Sequence, residues 1–491
     1  MNDAQGSAVA AKTTDLARLF AMQRAGFERE RYPSLATRRD RLGRLRALVI
    51  ENKSRFVAAT NEDYGHRSSH ETRLAELYVV LAEIAYADTR LARWMRAERV
   101  STPLHLLPAR ARIERQPVGV VGIVSPWNYP VQLALAPALG ALAAGNRVLL
   151  KPSELTQATS ALLRELVAAR FDGDEFAVVP GDADVGRAFT ELPFDHLFFT
   201  GSTAVGREVA LAAARNLTPV TLELGGKSPA LFAEDADFAL TAPRLMTGKL
   251  LNAGQTCITP DYAMVVEREV DRFVDTVTTA TAALYPAFAA NADYTAIIND
   301  RHYVRLTALI EDARAKGATI VTINPAAETP DPASRKLLPT LIVGVNDTMD
   351  VMREEIFGPL LPIETYTTVD DAIAKINARP HPLAFYFFGR DRARCARVLR
   401  ETLAGGVTVN DTLWHFAHEE LPFGGVGASG AGAYHGEASF LTFTHRKPVF
   451  VQPRWAATSL LKPPYAMTFE RVLALLHRLK GGRRRRTPRR D

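Results

Sequence analysis

Cysteine is nearly absent: the 491 residues contain two, Cys257 and Cys395, far apart in the chain. A disulfide framework is therefore excluded, and a reducing, cytoplasmic setting is expected. The opening Met1-Asn2-Asp3-Ala4-Gln5-Gly6-Ser7 has neither the basic start nor the apolar stretch of a secretion signal. A long hydrophobic run is missing too. The most apolar region, Val118 to Leu150, is broken by Ser125, Asn128, Gln132 and the prolines Pro126, Pro130 and Pro137. That pattern describes a buried strand, turn and helix, not a membrane span. The body of the chain also lacks net charge. The formal charge is +6, yet Lys480 to Asp491 alone carries seven basic residues against one acidic. No basic face for nucleic acid is implied. Metal ligands are sparse as well: His66 and His70 sit four apart with no third ligand nearby, so no metal site is expected.

What is present is enough for two or three domains, at 47% hydrophobic and 23% charged residues, the balance of a water-exposed globular chain. The chain is organised around Leu251-Asn252-Ala253-Gly254-Gln255-Thr256-Cys257. Small residues let backbone amides approach a bound group, and a thiol among free N–H groups becomes a stronger nucleophile. Taken alone, Cys257 reads first as a buried structural thiol. Two upstream blocks change that balance: Leu222-Glu223-Leu224-Gly225-Gly226-Lys227 and Pro126-Trp127-Asn128-Tyr129-Pro130. A thiol, a carboxylate and an amide near Gly or Pro turns can supply a nucleophile, a base and an oxyanion donor. The plain alternatives are a Glu223–Lys227 ion pair and an asparagine that caps the following helix.

The periodicity predicts an α/β protein. Leu16 to Ala97 reads as a solvated helical layer without chemistry, preceded by disordered residues 1–14. Pro117 to Val124 reads as a strand buried on both faces, Val131 to Ala144 as a buried helix, and Arg147-Val148-Leu149-Leu150-Lys151 as a strand ending in the polar turn Pro152-Ser153-Glu154. His196 to Gly206 is another strand, glycine turn and helix start. Its glycines, Gly201 and Gly206, are spaced G-x-x-x-x-G and not G-x-G-x-x-G, and Ser202 stands where a helix N-terminus favours a pyrophosphate. Cys395, on a charged helix without a partner motif, reads as structural.

From about Phe56 to Lys447 the chain resembles the aldehyde dehydrogenase superfamily, with the blocks above present in order. Pro422-Phe423-Gly424-Gly425-Val426-Gly427, Ala433-Tyr434-His435-Gly436 and Phe443-Thr444-His445-Arg446 place the resemblance in its class 3-like branch, near the bacterial coniferyl-aldehyde enzymes. The resemblance implies a Rossmann-type cofactor domain, an α/β catalytic domain and a small oligomerisation element. It implies that Cys257 is the nucleophile, Glu223 the water-activating base and Asn128 the side-chain donor to the oxyanion. Lys151 and Glu154 would approach the adenosine ribose. Glu355, in Glu354-Glu355-Ile356-Phe357-Gly358, would hold the nicotinamide ribose, with Phe357 packed nearby. Glu154 leans toward NAD, because a carboxylate repels a 2′-phosphate, with NADP as the alternative.

The resulting expectation is NAD(P)-dependent oxidation of an aldehyde, aromatic or medium-chain, by a homodimer. Tyr129 and Trp414-His415-Phe416 would supply flat apolar walls. The rivals are a CoA-acylating dehydrogenase and a retired binding protein on the same scaffold. The expected domains are 15–222 for cofactor binding with oligomerisation strands, 223–416 for catalysis, 417–467 as return and oligomerisation segment, and 468–491 as amphipathic helix and basic tail. In that last part Phe469, Val472, Leu473, Leu476 and Leu479 share a helix face. It reads first as a helix docked on its own protein, and second as a weak peripheral contact with anionic membrane.

Overall fold

Short, nearly unbroken apolar runs dictate strands covered on both faces, and the computed structural model, which describes residues 3–465 and 467–481, contains two such sheets. The first has six strands in the order Gly430–Ala431, Val220–Glu223, His196–Thr200, Val120–Val124, Arg147–Lys151 and Phe176–Val178. All neighbours are parallel except the antiparallel pair of Gly430–Ala431 with Val220–Glu223. Parallel strands need helical crossovers that cover both faces. The helix Gln132–Ala144 is accordingly buried along its whole length, and Val120, Leu149, Phe194, Leu197 and Phe199 form a core with Leu16 and Val209 from flanking helices.

The second sheet has seven strands: Thr319–Thr322, Thr340–Val343, Leu360–Tyr366, Tyr262–Val266, Pro229–Phe232, Ala384–Phe388 and Gly406–Val409. Only the first pair is antiparallel. Its core is aromatic, with Phe232 stacked on Phe388 at 4.3 Å between centroids and Phe273 at 4.8 Å from Phe232. The chain divides into two compact units, and both sheets belong to the one comprising Met1–Trp94 and Pro117–Phe443. The other unit, Met95–Gln116 and Thr444–Asp491, holds a three-stranded sheet of Glu98–Val100, Arg110–Pro117 and Thr444–Val451.

The structure departs from the sequence reading in three places. The first helix begins at Asp3 and runs to Arg29, so the expectation of a disordered 1–14 fails over Asp3–Thr14; Ala8, Ala10 and Ala11 favour helix there. The run Pro117 to Val124 is two elements, because Gly119 adopts φ +144° between strands that belong to different sheets. The N-terminal helical layer is not merely solvated: Arg38, Arg41, Arg67, Glu71, Glu76 and Glu83 are all buried. At the other end, helix Met467–Gly481 places Phe469, Val472, Leu473 and Leu476 half-buried on one face. The arginine-rich tail lies outside the described residues.

Candidate active site

Parallel sheets gather ligands beyond their strand C-termini, at the point where strand order reverses. In the six-stranded sheet that point lies between Val120–Val124 and His196–Thr200. Asn128 follows the first of these strands, Gly201 and Ser202 follow the second, Lys151 ends a third and Glu223 a fourth. Asn128, Lys151, Gly201, Ser202 and Glu223 therefore lie at the C-terminal edge of one sheet.

Cys257 is delivered by a turn that its sequence alone would not hold. After helix Phe238–Leu250, Asn252, Ala253 and Gly254 take φ of 53°, 51° and 76°. Successive left-handed residues, two of them not glycine, cost about 1–3 kcal/mol each and persist only where surroundings enforce them. Here the enforcement is polar. The Asn252 N–H donates to Glu71 Oε1 at 2.9 Å, and its side-chain amide donates to the carbonyls of Asn128 and Gln255 at 3.0 and 3.1 Å. Gln255 Nε2 donates to the Asn252 and Ala296 carbonyls, and its Oε1 accepts from the Ile298 N–H. Tyr129 O–H and Thr256 Oγ1 lie 2.7 Å apart. A Cβ on Gly254 would sit 2.3 Å from the Gly358 carbonyl oxygen, so only glycine fits. The outcome is a Cys257 that keeps partial exposure between buried Thr256 and buried Ile258.

The thiol lies among opposing influences. Burial, then Glu355, then Glu223 push it well above the usual thiol range, while the N–H groups of Cys257 and Ile258 favour the thiolate. Burial thus favours the neutral thiol over the thiolate. Glu223 is 1% exposed, and neither carboxylate oxygen has a hydrogen-bond partner among the described residues. Burial alone drives its pKa well upward. Its main chain is pinned, accepting from the Gly201 N–H at 3.0 Å and facing Gly430 in register. Lys227 does not pair with it. That ammonium donates to Asp261 Oδ2 and to the Val351 and Glu354 carbonyls, which removes the structural reading of Glu223.

Asn128 is 2% exposed and does not cap the helix after it, since Glu76 does so through the N–H groups of Val131 and Gln132. Its Nδ2 donates to the Gln255 carbonyl at 3.2 Å. A primary amide has two N–H bonds, and this contact uses one of them.

The second carboxylate, Glu355, is seated against Gly225 and Gly226. A Cβ on Gly225 would lie 2.2 and 2.3 Å from its two oxygens. Burial first, then Asp261, raise Glu355 to about 8, against a hydrogen bond from the Gly226 N–H. Phe357, at φ 53°, meets the Trp127 ring edge-on at 5.3 Å, and Trp127 meets His302 at 5.2 Å. Asp261 Oδ1 holds the Ile356 N–H at 3.0 Å.

Farther along the edge, buried Lys151 bridges half-exposed Glu154 at 3.0 Å. Burial would raise Glu154, but its own backbone N–H and the Lys151 ammonium hold it below the usual carboxylate range. Glu154 lines a cavity of about 740 Å³ with Gln157, Arg164, Pro180 and Gly181. Ser202 caps helix Thr203–Ala214 through the Val205 N–H, and Gly206 lets that helix approach Leu224. A strand-end carboxylate, a helix N-terminus and a second carboxylate cradled by a glycine pair match what a dinucleotide's ribose and pyrophosphate require.

The aromatic trio separates. Trp414 is exposed, while His415 is buried and bonded through Nδ1 to Thr408 at 2.8 Å. Phe416 packs on Phe423 and His435. Cys395 lies on helix Arg392–Glu401, apart from these residues in the fold, and both cysteines are free. Among the described residues no group of three His, Cys, Asp or Glu side chains could hold a metal ion. Arg67, Glu71 and Glu76, which surround the Asn128 and Asn252 turns, were missed by sequence reasoning. Charged residues within an apolar-periodic helix were the one available signal.

A buried carboxylate without a hydrogen-bond partner among the described residues, at the C-terminal edge of a parallel sheet, and a partly exposed thiol fit a dinucleotide-linked oxidoreductase. Residues 2–449 match the model of the aldehyde dehydrogenase family, and the chain belongs to that family. It is 48% identical over 455 residues to a probable coniferyl aldehyde dehydrogenase of Pseudomonas aeruginosa, covering 93% of this chain and 94% of that one. The coniferyl aldehyde dehydrogenase of Pseudomonas sp. strain HR199 is also 48% identical, over 446 residues, covering 90% and 92%. The substrate-bound structure of Staphylococcus aureus AldH superposes with a TM-score of 0.89 at 38% identity, covering 94% of this chain and 99% of that one. The chain is an NAD(P)-dependent aldehyde dehydrogenase. No described helix is long and apolar enough to cross a membrane.

Proposed function

We propose that the chain oxidises aromatic aldehydes, coniferaldehyde among them, to carboxylic acids through a thioester on Cys257, with medium-chain aldehydes as a second substrate class. The coniferyl-aldehyde relatives support the substrate class. The observation that carries the chemistry is Glu223: a carboxylate without a hydrogen-bond donor among the described residues is kept for a proton that arrives during turnover.

In this reading the Cys257 thiol loses its proton to solvent and Sγ attacks the carbonyl carbon. The new oxyanion accepts hydrogen bonds from the free N–H of the Asn128 amide and from the Cys257 backbone; loss of one such donor typically costs about 100- to 1000-fold in rate. NAD(P), when bound, would supply the hydride acceptor and would be held by Glu355 and Phe357 at one end and by Ser202, Lys151 and Glu154 at the other. The charge on Glu154 favours NAD over NADP. Glu223 then takes a proton from water as the water attacks the thioester carbon, and returns it to the Cys257 sulfur as the C–S bond breaks and the acid is released. A thiol requirement of this kind fits a cytoplasmic enzyme, and the three-stranded sheet of the second unit fits a homodimer.

The test is NAD reduction with coniferaldehyde, benzaldehyde, hexanal and acetaldehyde, with and without CoA. Activity is expected without CoA, with kcat/KM highest for the aromatic aldehydes. Preference for acetaldehyde would refute the substrate class, and dependence on CoA would make the enzyme an acylating one. Glu223→Gln should retain a first burst of NADH and lose steady turnover. Equal burst and steady rates, both near wild type, would remove Glu223 from deacylation.

A further inference from the structure

Arg67 and Glu76 form an ion pair with neither side chain exposed, Nη2 to Oε1 at 3.1 Å. Removing two charges from water costs several kcal/mol per ion, and apolar replacements are often as stable. Stability alone is therefore a poor reason for this pair, and its other contacts show where it acts. Glu76 Oε2 accepts from the backbone N–H groups of Val131 and Gln132 at 2.6 and 3.2 Å. Arg67 Nη1 donates to the Asn128 carbonyl at 3.0 Å. The pair thus grips the turn on both sides of Tyr129-Pro130. The Tyr64 hydroxyl at 2.9 Å and the Asn252 amide at 3.0 Å complete the same carbonyl. The guanidinium lies 4.7 Å from the Tyr64 ring centroid and 5.2 Å from that of Tyr129, which fixes its plane.

The local backbone is unusual where this pair arises. Thr72–Tyr78, the segment carrying Glu76, is π-helical and directly follows Ser69–Glu71. Such winding occurs mostly as single turns, often at functional sites. From it Glu76 reaches the Asn128 turn, while Glu71, just before it, reaches the Asn252 N–H beside the Cys257 turn.

We propose that Arg67 and Glu76 are positioning residues that set the direction of the Asn128 side-chain amide toward the oxyanion. The inference rests on the reading of Asn128 as the oxyanion donor. With the Asn128 carbonyl held by three donors and one amide hydrogen tied to Gln255, the second amide hydrogen has a fixed direction. A displacement of about 1 Å at such a donor costs on the order of 100-fold in rate.

The experiment is a double-mutant cycle read by single-turnover NADH formation, with NAD binding measured separately. Glu76→Gln is expected to slow acylation by about tenfold or more while leaving NAD affinity unchanged, and to add less than about twofold in the Asn128→Ala background. Arg67→Lys should recover part of the rate lost in Arg67→Met. Tyr64→Phe, which removes one donor to the same carbonyl and no charge, enters the same cycle should Glu76→Gln fail to fold. If the losses multiply in the Asn128→Ala background, the pair is merely structural and the inference falls. If Asn128→Ala itself keeps a near wild-type rate, the oxyanion reading falls first, and the two failures are distinguishable.

Discussion

Gly225→Ala places one methyl group against the carboxylate of Glu355. Gly225 is not among the positive-φ residues, unlike Gly226 at +139°, so alanine strains no backbone there. Its Cβ would meet the two Glu355 oxygens at 2.2 and 2.3 Å, about 1 Å inside contact distance. The carboxylate must rotate away and give up the Gly226 N–H, the hydrogen bond that opposes its burial. A hydrogen bond to a charged group contributes about 1.5–3 kcal/mol. If Glu355 orients the nicotinamide ribose, that loss corresponds to about 10- to 150-fold in kcat/KM. The assay is stopped-flow NADH formation together with calorimetric NAD binding. Glu355→Gln in the Gly225→Ala background should add little, because the seat is already lost. Wild-type rates and affinity in Gly225→Ala would show that the Glu355 seat has no part in cofactor use.

Three further outcomes follow from the same geometry. Cys257→Ala should abolish aldehyde oxidation, whereas Cys395→Ala, on a separate helix, should leave kcat within about twofold; turnover by the first variant would refute the thioester route. Asn252→Ala should lower both Tm and kcat, since it loses two side-chain hydrogen bonds and places alanine at φ 53°; an unchanged kcat would separate the strained turn from catalysis. Burial and Glu419 push Glu83 up to about 8 from 4.5, so the folded state keeps a proton the unfolded chain has lost. Its contribution is present below the unfolded pKa and lost as pH rises toward 8, by on the order of a few kcal/mol. Wild-type Tm should therefore fall from pH 5 to pH 9 more steeply than that of Glu83→Gln, and parallel curves would refute the shift.

The parts legible in the sequence are those where chemistry and local pattern coincide. Asn128, Lys151, Ser202 and Glu223 each end or follow an apolar run, and parallel strands bring run ends to one edge whatever the detailed packing. Gly225 and Gly254 could be read as places of close approach, but not what approaches them: the Glu355 oxygens at one and the Gly358 carbonyl at the other. Those contacts join residues more than a hundred positions apart, and no local periodicity encodes them. Lys227 shows the same limit: its neighbour Glu223 is the local choice of partner, yet the fold pairs Lys227 with Asp261.

The N-terminal helices illustrate the remaining limit. Apolar residues at helical spacing predict a covered face, and arginines and glutamates between them predict a solvated one. That inference is sound when the charges have water to reach. It fails for Arg38, Arg67, Glu71 and Glu76 because each finds a backbone group that secondary structure leaves unpaired. Arg38 donates to the Ala143 and Ala144 carbonyls at the C-terminus of helix Gln132–Ala144, and Glu76 accepts from the N–H groups at its start. A cation at the C-terminus and an anion at the N-terminus both oppose the helix dipole correctly. The helix so held at both ends is the one that follows Asn128. Charges spent on fixing a buried apolar helix are hard to explain by that helix's own needs, and easy to explain if the turn before it must not move during the formation of an oxyanion.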